Sequence, residues 1–120
     1  MTAPVVQFQI VAKDPVALSA FYGELFGWRI DTGNALGYRM VDTGAGGTPG
    51  GIWPASANGQ TFVQLFVAVS DVTSVLENAR ARGATVIVPE TTLPDGDTMA
   101  VIADPFGLTV GLMKARRQAV

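Results

Sequence analysis

A chain of 120 residues, 48% hydrophobic and 15% charged, is long enough to bury one core and too apolar to stay disordered. It has no histidine and no cysteine, which excludes a disulfide scaffold, a thiol nucleophile, a Ser-His-Asp triad and any zinc or iron site built on imidazole or thiolate. The net charge is −2, and Arg80/Arg82 and Arg116/Arg117 are the only basic clusters, so nucleic acid is a poor partner.

Met1-Thr2-Ala3-Pro4 has neither the basic start nor the apolar run of a signal peptide. Val6, Phe8 and Ile10 then alternate with Val5, Gln7, Gln9 and Val11, the period of a half-buried strand. Asp14-Pro15 reads as an N-cap followed by proline at the first helical position. Leu18, Phe21, Tyr22 and Leu25 recur at i, i+3, i+4 and i+7 and predict one apolar helical face. Gly27 stands where a left-handed residue would end that helix. Trp28-Arg29-Ile30 and Tyr38-Arg39-Met40-Val41 are short strands with Gly and Asn turn residues between them. The Gly44 to Gly51 run lacks the Gly-Lys-Ser/Thr ending of a phosphate loop and leads into Ile52-Trp53, not into a helix. It is read as a plain loop or as a flap over a pocket mouth.

No residue between Asp42 and Asp71 is charged, but Gly, Pro, Ser, Asn and Gln make the stretch unfit to span a membrane. A soluble, cytoplasmic chain is expected. After the polar linker from Ala55 to Gln60 the pattern restarts: Phe62 to Val69 is a strand and Asp71 a cap. Val72, Val75, Leu76 and Ala79 form a helical face that Gly83 ends. Thr85 to Val88, Thr98 to Ala103 and Leu108 to Met113 are strands, the last after the turn Asp104-Pro105-Phe106-Gly107.

The restart is an internal repeat. An offset of 57 residues superposes Val6 on Val63, Gln7 on Gln64, Asp14 on Asp71 and Ile30 on Ile87. Gly27 and Gly83 match at 56, and an offset of 60 puts Gly47 on Gly107, Gly51 on Gly111 and Ala55 on Ala115. The chain therefore divides into two βαβββ modules, residues 1–55 and 61–115, of one domain spanning 1–120.

Phe21-Tyr22-Gly23-Glu24-Leu25-Phe26-Gly27-Trp28, Val69-Ser70-Asp71-Val72 and Asp104-Pro105-Phe106-Gly107-Leu108, set in two such modules, resemble the vicinal oxygen chelate superfamily, also called the glyoxalase/bleomycin resistance/dioxygenase family. The likeness covers nearly the whole chain. It implies an α+β fold in which two tandem βαβββ modules form an open curled mixed sheet. Activity is not implied, because members isomerise, oxygenate, open epoxides or only bind drugs.

Metal-using members of that family hold their ion at four strand positions, which fall here on Gln7, Gly51, Gln64 and Gly111. Family patterns carry His at the Gln7 and Gln64 positions and Glu at the Gly111 position, and this chain departs at all of them. Two neutral amides cannot repay the dehydration of a divalent cation. No catalytic metal and no cofactor are expected.

The family's concave inner face, carried onto this chain by strand alternation, comprises Val5, Gln7, Gln9, Val11, Gly51, Trp53, Phe62, Gln64, Phe66, Ala68, Gly111 and Met113. Phe8, Ile10, Leu65, Val67 and Leu112 then turn to the helices as core. Such a face resembles a small-molecule pocket, mostly hydrophobic with a few placed polar groups. The candidate ligand-binding residues are Gln7, Gln9, Tyr38, Gly51, Trp53, Gln64, Phe66, Gly111 and Met113. Two readings stay open for several of them. Gln7 and Gln64 either satisfy each other or a trapped water, or they meet a ligand. Gly51 and Gly111 either are strand glycines at bends or make room. Either Tyr38 or Arg39 faces inward, and Met99 shares that ambiguity. Trp28, Asp14, Asp71 and Asp104 are assigned to core, caps and turns.

The function expected is therefore metal-free binding of a small, largely apolar or aromatic molecule, as in drug sequestration. Catalysis without metal, with Tyr38 as acid or base, and an interaction module with a vestigial pocket are the alternatives. A homodimer is implied by the resemblance under each.

Overall fold

The computed structural model describes residues 2–32, 38–93 and 96–114. The turn residues 33–37, Ala115 and the Arg116/Arg117 pair lie outside the described residues. The elements are β1 (Val5–Ala12), α1 (Pro15–Phe26), β2 (Arg29–Asp31), β3 (Arg39–Asp42), β4 (Gly50–Pro54), β5 (Phe62–Val69), α2 (Val72–Ala81), β6 (Thr85–Thr92), β7 (Thr98–Ala103) and β8 (Thr109–Lys114). Each half thus runs βαβββ, the α+β fold class expected from the sequence. The chain forms two compact units, Val6–Leu65 and Phe66–Val120, the second also taking in Met1–Val5.

In the unit Val6–Leu65 the strands lie in the order β2-β3-β4-β1. β1 and β4 are parallel, and the other pairs are antiparallel. Its core is Ala12, Val41 and Ile52, with Phe8, Ile10, Leu18, Trp28 and Ile30 packed around them. In the other unit, which takes β5 from Phe66 onward, the order is β5-β8-β7-β6, with β5 and β8 parallel and the rest antiparallel. There Val69, Val72, Leu76, Ala100 and Leu112 are buried, and Val67, Val75, Val86 and Ile102 pack on them.

The repeat holds at the level of single pairs. β1 aligns Gln9 with Gly51 and Ile10 with Ile52; β5 aligns Phe66 with Gly111 and Val67 with Leu112. These are the offsets of 57 and 60 residues read from the sequence. β3 and β7 correspond at 61, because Met40 opposes Gly51 as Val101 opposes Gly111.

Both helices start on aspartate caps. Asp14 Oδ1 accepts from the Ala17 N–H at 3.0 Å, and Asp71 Oδ1 accepts from the Ser74 N–H at 3.3 Å. Gly27, at φ 72°, ends α1 in the left-handed conformation and donates its N–H to the Gly23 carbonyl. Trp28 follows that reversal, and its ring lies 5.7 Å from Tyr22 and 5.5 Å from Phe26.

The helical face expected in α1 is corrected by the structure. Leu18 packs on the core, but Phe21 and Leu25 are 59% and 58% exposed. The rings of Phe21 and Tyr22 meet edge to face with centroids 4.9 Å apart, and Tyr22 and Trp28 stack with each other. α2 instead buries Val72 and Leu76 from the face the spacing marks. Leu65, expected in the core, is 49% exposed, because the buried cluster takes Val67 and Leu112 from the sheet and stops there.

β6 runs past Val88 through Pro89 to Thr92. It is the outer strand of its four, where proline is tolerated, and Pro89 falls inside the second of two register shifts. The Asp104 turn forms as its residues require: Oδ1 accepts from the N–H groups of Phe106 (2.8 Å) and Leu108 (3.0 Å). The glycine run closes on itself, with Thr43 Oγ1 donating to the Thr48 carbonyl at 2.8 Å and Asp42 Oδ1 accepting from the Gly44 N–H at 2.9 Å. Among the described residues no helix is long and apolar enough to cross a membrane.

Candidate functional site

In the unit Val6–Leu65, successive residues of β4 face opposite ways and both glycines are crowded by aromatic rings. A Cβ added to Gly50 would fall on the ring of Phe8, which belongs to the core side. A Cβ added to Gly51 would fall on the hydroxyl and Cζ of Tyr38. Trp53, two residues along β4 and so on the Gly51 side, has its ring 5.7 Å from that of Tyr38. Tyr38 is therefore the inward member of the Tyr38/Arg39 pair.

The Tyr38 hydroxyl is hydrogen-bonded to the Gln7 side chain. Burial disfavours the phenolate and pushes the Tyr38 pKa above 10.0, while the Gln7 bond pulls it back in part. The phenol is consequently neutral and protonated across the physiological range. Gln9 and Trp53 are half-buried beside this arrangement, and Gly51 is buried.

Gln64 lies on β5 within the same unit and is the repeat counterpart of Gln7. It is only 5% exposed, and among the described residues its Oε1 has no hydrogen-bond partner. The two amides thus differ in state: Gln7 is engaged by Tyr38, and the Gln64 carbonyl is not.

In the second unit the counterpart glycine is covered by a different ring. A Cβ added to Gly111 would fall on the ring of Phe66, its cross-strand partner, which is 3% exposed. Met99 opposes Met113 where the first unit sets Tyr38 against Trp53, and both methionines are half-buried. The room expected at Gly51 and Gly111 is therefore taken in each case by a neighbouring aromatic ring. Glycine is needed there for close approach, as when an aromatic covers a strand glycine.

This chemistry does not fit the metal that the fold family implies. The four positions offer two neutral amides and two glycines, and the space a longer side chain would need at Gly51 and Gly111 is filled by Tyr38 and Phe66. Among the described residues no three acidic or other metal-ligating side chains cluster. A divalent cation would lack the anionic donors that repay its dehydration.

A hollow of about 330 Å³ elsewhere is lined by Ser70, Asp71, Val72, Glu90, Thr98 and Lys114. Its two carboxylates are already engaged: Asp71 accepts from the Ser74 N–H and hydroxyl, and Glu90 accepts from the Thr73 hydroxyl. Strand alternation assigns Gln7, Gln9, Gly51, Trp53 and Gln64 to one face from the sequence. The Tyr38–Gly51 approach was not legible, because the residues joining β2 to β3 carry no periodicity that sets its phase. The available signal was glycine recurring at one strand position of both halves.

A family model described as Glyoxalase-like domain matches residues 6–113. Proteins named "Putative glyoxylase CFP32" from Mycobacterium bovis and Mycobacterium tuberculosis are 29% identical over 111 residues, covering 87% of this chain. The chain spans 42% of the length of those relatives. The hypothetical protein BH1468 from Bacillus halodurans superposes with a TM-score of 0.69 at 11% identity, over 100% of this chain and 99% of its own. Methylmalonyl-CoA epimerase from Mycobacterium tuberculosis does so at 0.65 and 14%, over 98% and 94%. At these identities the structural likeness establishes the fold.

Proposed function

This chain belongs to the glyoxalase-like family of the vicinal oxygen chelate superfamily, and within it we propose that the chain is a metal-independent receptacle for a small, largely apolar or aromatic molecule. The observation that carries this reading is the filling of the glycine positions: a neutral phenol covers Gly51 and a phenyl ring covers Gly111, in place of ligands to an ion. In the unit Val6–Leu65 the face of Gly51 offers Trp53 for stacking and Gln7, Gln9 and Gln64 for hydrogen bonds; in the other unit Phe66 and Met113 give the face of Gly111 an apolar lining. None of these residues is charged. A mostly apolar surface with a few placed polar groups is the ordinary composition of a ligand pocket. Sequestration of a drug-like aromatic compound is the simplest activity it could perform. A cytoplasmic homodimer without nucleic-acid or membrane partners belongs to the same proposal, and sedimentation gives the mass that checks the dimer.

Thermal denaturation tests the reading. A neutral aromatic compound present at one hundred times its Kd should stabilise the protein by about 2.7 kcal/mol. Methylmalonyl-CoA, an anionic control, and zinc, nickel or manganese should give no shift. Stoichiometric metal retained after loading and dialysis would overturn it.

One observation favours a second reading. Tyr38 presents a protonated hydroxyl on the inner face, hydrogen-bonded to Gln7, and such a phenol can act as a general acid toward a bound carbonyl. Turnover that survives EDTA and is lost in Tyr38→Phe would carry that reading instead.

A further inference from the structure

We propose that Gln64 determines specificity: its Oε1 accepts a hydrogen bond from an N–H or O–H group on an uncharged ring ligand. This rests on the receptacle reading and names the class of molecule it takes. A carbonyl oxygen removed from water without a partner costs the folded chain free energy. Gln64 is 95% buried, from its 5% exposure, and its Oε1 has no partner among the described residues.

The chemistry of the orphan atom narrows the occupant. A carbonyl oxygen only accepts, so it pairs with a donor and repels the oxygens of a carboxylate or phosphate. A cation is disfavoured as well, since one neutral oxygen cannot replace its water shell. Phe62 shares the Gln64 face of β5 by strand alternation and is 43% exposed, which offers an aromatic surface next to the acceptor. The ligand is accordingly neutral, bears a ring and carries at least one hydrogen-bond donor. A site built to bond a donor rejects the analogue that lacks it far more strongly than an apolar wall rejects a change of shape.

Indole and benzofuran are the matched probes: nearly the same shape, one with an N–H and one with a ring oxygen. Titration calorimetry on the full chain should find indole bound at least about tenfold more tightly than benzofuran. In Gln64→Leu and Gln64→Met the preference should vanish through loss of indole affinity. Without ligand, both variants should melt no lower than the unsubstituted protein, because an unpaired acceptor has been removed. Equal affinity of the two probes for the unsubstituted protein, or a preference that survives in both variants, overturns the role of Gln64 and leaves an aromatic receptacle standing. A lowered melting temperature in both variants means that the acceptor is bonded within the ligand-free fold, and this also overturns it. Failure of both probes to bind overturns the receptacle and this inference with it.

Discussion

The two halves set the same glycine in the same parallel register and cover it with chemically different rings. In the unit Val6–Leu65 the cover of Gly51 is a phenol, half-buried and tied to Gln7; in the other, the cover of Gly111 is the Phe66 ring, almost fully buried. The helices diverge in parallel: α2 buries Val72 and Leu76, whereas α1 buries no residue fully and leaves Phe21, Leu25 and Phe26 largely exposed. A repeat thus preserves backbone pairing while one half is specialised for packing and the other keeps polar groups on the inner face. Pairing depends on the backbone and on where glycine stands. The rest depends on which side chain swings over that glycine.

The largest effects are expected in the packed half. Phe66→Ala should cost about 3–5 kcal/mol and Leu76→Ala about 2–5 kcal/mol in urea unfolding, since both remove well-buried side chains. Next comes the glycine pair itself. Gly111→Ala should cost about 1–3 kcal/mol, because the new Cβ overlaps a ring enclosed on all sides. Gly51→Ala should cost less, since half-buried Tyr38 can swing outward. The displaced phenol should then leave its burial and its Gln7 bond, and because burial is the larger influence this should be read as a fall in the tyrosine pKa together with a fall in ligand affinity. Equal stability losses at the two glycines would break the comparison.

Tyr38→Phe sharpens it further. Below pH 10 the variant should lose about 0.5–1.5 kcal/mol, one hydrogen bond. Above pH 10 the sign changes the picture. The Tyr38 pKa is raised in the folded chain, so its contribution is present in full below 10.0 and is lost as pH rises through the folded value. Stability of the unsubstituted protein should therefore fall in alkali more steeply than that of the variant, in denaturant titrations above pH 10. On the exposed side of α1, Phe21→Gln should stay within about 0.5 kcal/mol of the parent, which separates that helix from α2. The smallest effect is at Asp71, whose carboxyl is held below 3.8 by the Ser74 hydroxyl and N–H. Its contribution is present above 3.8 and lost as pH falls through the lower folded value. Asp71→Asn should flatten the acid limb of the stability curve by slightly lowering the neutral plateau, so that variant and parent converge in acid.

Much of the fold was legible because local chemistry points one way. Asp14-Pro15 and Gly27 bound α1, and Phe62 to Val69 and Thr98 to Ala103 are the strands that alternation marks. The sequence pattern ends β6 at Val88, four residues short, because Pro89 ordinarily ends a strand and only the tertiary structure places β6 at an outer position that tolerates it. The apolar spacing of α1 promised a buried face, yet periodicity states which residues share a side of a helix and not how much of that side a sheet will cover.

By itself the sequence determined the repeat, the element order, the departure from the family's ion-holding residues and the set of side chains on each side of each strand. These follow from periods, caps and residue identity, which are local properties. Only the tertiary structure decided that Tyr38, not Arg39, lies over Gly51, that Phe66 closes the space at Gly111, and that Gln7 is bonded to Tyr38 while the Gln64 Oε1 has no partner among the described residues. Those outcomes depend on the phase at which β3 meets β4 and on rotamers chosen against neighbours distant in the chain. No local pattern encodes either.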